Sequence, residues 1–226
     1  MTGTVINTGT IIAGSLIGIL LKNIIPARLS DRVMQGMGLL TLIIGFSMVQ
    51  EGQETIILLL SLVIGAAIGE LLDLDAKLTW IGQSLENRFK GTQDRFTKGF
   101  VTTSLIFCVG PMAILGAIED GLTGDYTILL TKAIMDGITS IAFASTLGIG
   151  VLFSALPVFL YQGSITLLAS AVRSLLLPEL VAEVTAVGGA LIIGLGFNIL
   201  EIGRIKVANL LPALLVPLLI GKYFLA

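Results

Sequence analysis

The sequence contains no histidine and a single cysteine, and only 12% of its 226 residues are charged. Without histidine, Ser-His and Cys-His nucleophilic pairs, HExxH zinc sites and histidine proton relays are excluded. The single cysteine, Cys108, cannot form a disulfide within the chain. A net charge of −2 without a polybasic block gives nucleic acid no surface to bind. We therefore expect neither a histidine-based enzyme nor a nucleic-acid-binding protein.

Apolar residues are abundant: 55% of the chain is hydrophobic and the mean hydropathy is +1.01. These values are typical of membrane proteins, in which a spanning helix needs about 20 predominantly apolar residues. The sequence predicts an all-α, polytopic membrane helix bundle in one transmembrane domain, with spans near 3–21, 33–49, 55–72, 100–118, 126–145, 148–172, 184–200 and 207–225. A turn near Ser145 to Gly150 divides the run 126–172 into two of these eight spans, whereas a re-entrant segment there leaves seven.

Basic residues predict how the bundle is oriented, because cytoplasmic loops are rich in Lys and Arg. With the N-terminus outside, ten basic residues of the loops are cytoplasmic and two, Arg173 and Lys222, are external in the eight-span arrangement. In the seven-span arrangement Arg204 and Lys206 take the places of these two. The side of the C-terminus therefore stays open.

A shift of 152 residues lays LLLSLVIGAAIGELL (58–72) on LLPALLVPLLIGKYF (210–224) and Pro26 on Pro178. This similarity suggests two three-helix repeats, at about 1–72 and 148–226, that flank a polar segment at 73–99 and central helices at 100–147. Eight spans would make the repeats inverted, an arrangement typical of secondary transporters. Chance similarity between apolar helices is the alternative.

Two patterns predict how the helices meet lipid and one another. Residues 73–99 carry apolar side chains at helical spacing and predict an amphipathic helix on the cytoplasmic surface, with Trp80 as an interfacial anchor. GxxxG pairs at Gly14 and Gly18 and at Gly65 and Gly69 predict close helix contacts or association into a homo-oligomer.

Lys132 and Asp136 lie one helical turn apart inside the apolar run 125–143. A charge at the centre of a spanning helix costs roughly 2.5 to 3.5 kcal/mol on insertion scales, so an intramembrane charged pair predicts a functional site. The helical rise places Asp136 near the middle of the hydrocarbon layer, whereas the longer Lys132 side chain can reach outward.

Two hydroxyls accompany Asp136 on its own helix face, from Thr139 and Ser140 at i+3 and i+4. These oxygen atoms suit a hard cation such as Na⁺. Equally, Asp136 paired with Lys132 suits a proton carrier. A purely structural ion pair is the third interpretation.

Prolines predict broken helices on both sides of this pair. Pro111, after Gly110, and Pro157 each remove a backbone donor and clash with a carbonyl one turn earlier. Non-helical backbone at membrane depth is tolerated where it is buried in protein or lines a cavity, so these breaks indicate a binding site. Packing kinks are the alternative.

Other polar residues within or at the ends of spans are secondary candidates. Asn7 and Asn198 lie in apolar runs and are expected to form hydrogen bonds between helices, and Gln162 lies in the sixth span. Glu119, Asp120 and Asp125 suggest an acidic mouth that attracts cations, or else a solvated loop.

Segments such as GTVINTGTIIAGSLIGILL, FCVGPMAILGAIEDGLTGDY and LLTKAIMDGITSIAF resemble a bacterial inner-membrane family typified by YqgA and YdfK. The resemblance covers essentially the whole chain. It implies a location in the bacterial inner membrane and a transport role, and it supplies no substrate and no site residues.

Together these patterns predict a secondary transporter of a small solute or ion, with Asp136 holding the coupling cation or proton. A passive oligomeric channel and a non-transporting membrane scaffold are the alternatives. No enzymatic activity and no cofactor are expected, since GLTGD at 121–125 is not the GxGD of aspartyl intramembrane proteases. The expected partners are the lipid bilayer, the transported solute and further copies of the chain.

Overall fold

The computed structural model describes residues 1–22, 24–86, 95–172 and 178–224. All regular elements in these ranges are helical, as predicted. The α-helices are α1 Thr2–Lys22, α2 Ala27–Val49, α3 Thr55–Leu72, α4 Leu74–Glu86, α5 Arg95–Cys108, α6 Pro111–Leu122, α7 Thr127–Leu147, α8 Gly150–Phe153, α9 Ala155–Leu167, α10 Ala169–Val172, α11 Pro178–Ile199 and α12 Val216–Phe224. A 3-10 helix, Val207–Leu215, leads into α12.

Six helical segments are long and apolar enough to cross a membrane: α1, α2, α3, α7, α8 with α9, and α11. The bent pair α5 and α6 makes a seventh if it is one span. The last predicted span is a shorter apolar helix, Val207–Ile220. It begins as a 3-10 helix containing Pro212, which cannot donate to an α-helical ladder. These segments describe a multi-pass membrane protein.

The predicted break at Gly110 and Pro111 is present. α5 ends at Cys108, α6 begins at Pro111, and the two helices are bent by 59°. Pro111 occupies the first position of α6, where a helix does not need the missing N–H. A β-carbon on Gly188 of α11 would lie 2.9 Å from the carbonyl oxygen of Val109, so protein covers this part of the broken backbone.

The break predicted at Pro157 is much smaller. α8 ends at Phe153 and α9 begins at Ala155, so one residue, Ser154, interrupts the helix. Pro157 therefore lies in the first turn of α9, where prolines are tolerated. Gly150–Leu167 still counts as one span, whereas α5 and α6 are bent by 59°, so the two breaks are not comparable as expected.

The chain divides into two compact units. Unit 1 contains Met1–Met37, Thr79–Cys108 and Met112–Val172, and unit 2 contains Gly38–Leu78, Val109–Pro111 and Arg173–Ala226. In unit 1 a buried cluster joins Ile11, Phe107, Ala155 and Val158. In unit 2 the corresponding cluster joins Met48, Val109 and Ile192.

In unit 1, α1 packs along α7 in the same direction, since Gly3 lies against Leu129 and Gly18 against Ala144. α9 runs the opposite way, because Thr4 contacts Thr166 and Asn7 contacts Gln162. Within the run 126–172, α7 and α9 are therefore antiparallel. The turn between them contains Gly148, whose φ of 79° suits glycine and which lies in the predicted interval.

In unit 2, α2 packs antiparallel to α11, with Gly38 against Leu200 and Gly45 against Ile193. α3 packs antiparallel to the 3-10 helix, with Gly65 against Ala213 and Gly69 against Asn209. Both predicted glycine pairs therefore make close contacts with helices of the same chain, which is one of the two roles predicted for them. Association of copies stays a prediction.

The structure describes the polar segment as a helix, α4, as far as Glu86. α4 ends at Glu86, residues 87–94 lie outside the described residues, and Arg95 already begins α5. Trp80 is 68% exposed on α4, as an interfacial anchor would be. Residues 95–99 form the first turns of α5, which continues into the span predicted from residue 100.

Candidate functional site

Lys132 and Asp136 form a buried ion pair on α7. Their side chains are 6% and 11% exposed, and the Lys132 Nζ donates a hydrogen bond to Asp136 Oδ2. The same nitrogen lies 5.8 Å from the centre of the Phe107 ring on α5, a cation–π contact. Lys132 does not reach outward, as its length allowed, because Asp136 and the Phe107 ring hold it inside the bundle.

Two amide side chains lie beside this pair. Asn7 on α1 donates from Nδ2 to Oε1 of Gln162 on α9 over 3.0 Å, and both residues are 0% exposed. The Asn7 side chain also lies close enough to Asp136 to interact with its carboxylate. The hydrogen bond predicted for Asn7 between helices is present. It joins residues 155 positions apart.

Three buried polar atoms of this site have no hydrogen-bond partner: Asn7 Oδ1, Gln162 Nε2 and Ser140 Oγ. Each unpartnered buried group costs about 1–3 kcal/mol. Ser140 lies one turn beyond Asp136 and is fully buried, whereas Thr139 is only half-buried. Of the two predicted hydroxyls, Ser140 is the one placed within the protein.

Asp136, Ser140 and Asn7 Oδ1 supply the oxygen atoms that a cation would need, with a single carboxylate among them. In the described ranges no three His, Cys, Asp or Glu residues come together as a metal site. The thiol of Cys108, the last residue of α5, is close enough to interact electrostatically with both Lys132 and Asp136.

The three residues of the predicted acidic mouth differ in their exposure to solvent. Asp120 points inward: it is 5% exposed, accepts a hydrogen bond from the Gly3 N–H over 3.1 Å and pairs with the amino group of Met1 at 2.9 Å. Glu119 is half-buried. Asp125 is exposed and accepts hydrogen bonds from the Thr127 hydroxyl and N–H, which lower the pKa of the Asp125 carboxyl. Asp120 thus anchors the start of α1 and was wrongly placed in an open funnel.

Asn198 does not bridge helices, contrary to prediction. Its Nδ2 donates to the Ile205 carbonyl over 2.7 Å and its Oδ1 accepts from the Ile205 N–H over 2.8 Å. These bonds close the short loop after α11. The apolar surroundings suggested a partner on another helix, but the end of α11 lies only one residue further along the chain.

A second polar centre lies in unit 2, around Asn209. Its Nδ2 donates to Glu70 Oε2 over 2.6 Å, and its Oδ1 accepts from the Asp75 N–H over 2.7 Å. Lys206 pairs with Glu70 at 3.4 Å, with both side chains more than half exposed. Partial burial raises the pKa of the Asp75 carboxyl. This centre joins the end of α3 to the 3-10 helix.

Glu183 is a residue whose role the sequence pattern concealed. Its charge placed it in a loop, yet it lies within α11 and is 1% exposed. Its Oε1 accepts hydrogen bonds from the N–H groups of Gln53 and Glu54, at 2.8 and 3.0 Å, just before α3. A carboxylate at a helix N-terminus is stabilised by the unpaired amides and the helix dipole.

Residues 2–221 match the family described as "Protein of unknown function (DUF554)". The chain belongs to this family. It is 40% identical to the "Uncharacterized membrane protein YdfK" of Bacillus subtilis (strain 168), over 96% of this chain and 94% of that protein. It is 31% identical to the "Uncharacterized protein YqgA" of Escherichia coli (strain K12), over 94% and 93%. No solved structure matches the chain. The resemblance noted in the sequence is thus confirmed.

Proposed function

We propose that this DUF554 protein is a secondary transporter of a small solute or ion, with the Lys132–Asp136 pair as its coupling site. The observation that carries the proposal is a buried charge pair beside three unpartnered polar atoms, Asn7 Oδ1, Gln162 Nε2 and Ser140 Oγ. A scaffold has no use for this combination, since apolar residues would stabilise the bundle at least as well. A ligand that forms hydrogen bonds with these atoms would offset the free-energy cost of burying them without partners.

Helix directions support the inverted repeats that such a mechanism uses. The 152-residue shift relates α1 to α9 and α10, α2 to α11, and α3 (55–72) to the segment 207–224. Each of these helices packs against its proposed equivalent, and each pair is antiparallel, as the contacts of Asn7 with Gln162, Gly45 with Ile193, and Gly69 with Asn209 indicate. Antiparallel equivalents fit inverted copies crossing the membrane in eight passes.

The remaining parts of the proposal rest on loop charge, on composition and on the similarity to YdfK and YqgA. The chain resides in the bacterial inner membrane with its N-terminus outside, and it carries out transport without covalent chemistry or a cofactor. Its partners are lipid, the transported solute and further copies of the chain.

Reconstitution into proteoliposomes tests the proposal. Purified protein is placed under Na⁺ and proton gradients, and solute-induced currents and internal pH are recorded for the wild type, Asp136→Asn and Glu70→Gln. Glu70 is the matched control, because it is a carboxylate at the end of α3 that is largely exposed. We expect gradient-dependent flux in the wild type and Glu70→Gln, and its loss in Asp136→Asn.

Other results separate the rivals. Unitary conductance in planar bilayers, without saturation or counterflow, identifies a channel. Flux that survives Asp136→Asn makes Asp136 structural and overturns the proposal.

A further inference from the structure

We infer that this site moves one proton together with one small monovalent anion, such as a carboxylate. The proton binds the Asp136 carboxylate, the Lys132–Asp136 ion pair separates, and the anion takes the place of Asp136 beside the Lys132 ammonium. Release reverses these steps, so the proton and the anion leave together. This inference rests on the proposed transport function and specifies its substrate class and coupling ion.

Charge balance is the first support. The ion pair is almost fully buried, and an unpaired charge in such a place is far more costly than a paired one. An anion alone would leave Asp136 unpaired, and a proton alone would leave Lys132 unpaired. A proton and an anion bound together leave a neutral acid at Asp136 and a new ion pair at Lys132. The empty and loaded sites then carry the same net charge of zero.

The surroundings of Asp136 are the second support. Among the described residues, the charged group that acts on Asp136 is Lys132 of its own helix. α5 adds the Cys108 thiol, while α1 contributes Asn7 and α9 contributes Gln162, neither of which titrates. α8 (GVLF) also packs against α7 and has no titratable side chain. A metal cation at Asp136 would have one carboxylate as ligand and would have to displace Lys132, whereas a proton needs only the carboxylate.

The unpartnered atoms are the third support, because they suit the loaded state. A protonated Asp136 becomes a hydrogen-bond donor, and the site contains an acceptor oxygen without a partner, Asn7 Oδ1. The anion accepts hydrogen bonds, and Gln162 Nε2 and the Ser140 hydroxyl are unpartnered donors. Exchanging oxygen and nitrogen in both amides still leaves one free donor and one free acceptor.

Binding measurements on the purified full-length protein in nanodiscs test the inference. Sodium acetate, lactate and nitrate are titrated in weak buffer containing a pH-sensitive dye, and thermal unfolding is followed in parallel. Potassium salts, glycerol and urea are the controls. We expect at least one of the three anions to raise the unfolding temperature, with about one proton taken up per anion bound. Its affinity should rise roughly tenfold for each unit fall in pH while Asp136 is ionised in the empty site.

Variants then assign the roles. Asp136→Asn should bind the same anion without proton uptake and with an affinity that no longer depends on pH. Lys132→Met should not bind it. Because each single variant leaves one partner without its charge complement, the double variant Lys132→Met/Asp136→Leu serves as a folded control that binds no anion and takes up no proton.

Several outcomes overturn the inference. These are a requirement for Na⁺ over K⁺, an equal effect of glycerol or urea, anion binding without proton uptake, or no effect of the three anions on the wild type. Asp136-dependent flux of Na⁺ or of a neutral solute would then leave the proposed transport function intact. Absence of any flux would reject both.

Discussion

Two Lys–carboxylate pairs of the described residues lie in opposite environments. In unit 1, the Lys132 and Asp136 side chains are 6% and 11% exposed. In unit 2, the Lys206 and Glu70 side chains are 57% and 64% exposed, at 3.4 Å. The exposed pair is easily replaced, since surface pairs contribute about 0–1 kcal/mol. The buried pair is costly to assemble and more costly to break.

The two pairs differ in what they contribute to stability. At the exposed pair, the nearby amide of Asn209 holds α3 to the 3-10 helix, and the charges add little. At the buried pair, the surrounding amides and hydroxyl are left partly unpartnered, so the site is not optimised for stability. Four comparisons test this difference and the contacts around it, from the largest expected effect to the smallest.

Removing one member of the buried pair should have the largest effect. Asp136→Asn leaves Lys132 without its counter-charge and should lower the free energy of unfolding by roughly 3–5 kcal/mol. Glu70→Gln should lower it much less, because its pair with Lys206 is exposed to solvent. Unfolding in mixed detergent micelles measures both, and equal losses would remove the distinction between the two pairs.

Close contact between α1 and α7 encloses the buried pair, so a side chain added there should be the next largest change. A β-carbon on Gly18 would lie 2.5 Å from the Ile141 carbonyl oxygen and 2.8 Å from Ala144 Cβ, whereas a β-carbon on Gly9 meets nothing within 4 Å. Gly18→Ala should cost about 1–3 kcal/mol. Gly9→Ala should be neutral or stabilising. A similar loss for both variants would contradict this helix contact.

In unit 2, the amide should matter more than the salt bridge. Asn209→Ala removes hydrogen bonds to Glu70 and to the Asp75 N–H and should cost roughly 1–3 kcal/mol. Lys206→Met, which removes only the exposed pair, should cost about 0–1 kcal/mol. The reverse order in the same unfolding assay would show that charge dominates this centre.

The smallest effect should come from Asp125, which is fully exposed. Hydrogen bonds from Thr127 lower the pKa of its carboxyl below the value in the unfolded chain. The stability it contributes is therefore present above the unfolded pKa of about 3.9 and is lost as pH falls through the lower folded pKa. Unfolding measured between neutral pH and this range should show a shallower acid loss in Asp125→Asn than in the wild type. An unchanged acid slope would argue against the Thr127 contacts.

The spans could be predicted from the sequence because the length and apolarity of a membrane helix are visible in one continuous stretch of residues. Pro111 likewise predicted the break before α6, since proline lacks the backbone N–H that a continuous helix needs. The i, i+4 spacing of Lys132 and Asp136 sufficed to predict that the two meet.

Contacts between distant residues could not be predicted in this way. Nothing local links Asn7 to Gln162, and the partner of a buried amide depends on which helices become neighbours. The burial of Glu183 could not be predicted for the same reason. Its charge favours a position outside a span, but its carboxylate accepts hydrogen bonds from backbone N–H groups 129 and 130 residues earlier. Whether Pro157 bends or merely begins a helix also depended on where α8 ended.

The position of the single cysteine has a practical consequence. Cys108 is the last residue of α5 and is partly buried. Its thiol interacts electrostatically with both Lys132 and Asp136. The natural chain therefore carries one built-in chemical reporter at the bend between α5 and α6, without background from any other thiol. Its rate of labelling by a maleimide, measured with and without ligand, would report whether binding changes access to the site, with no residue altered.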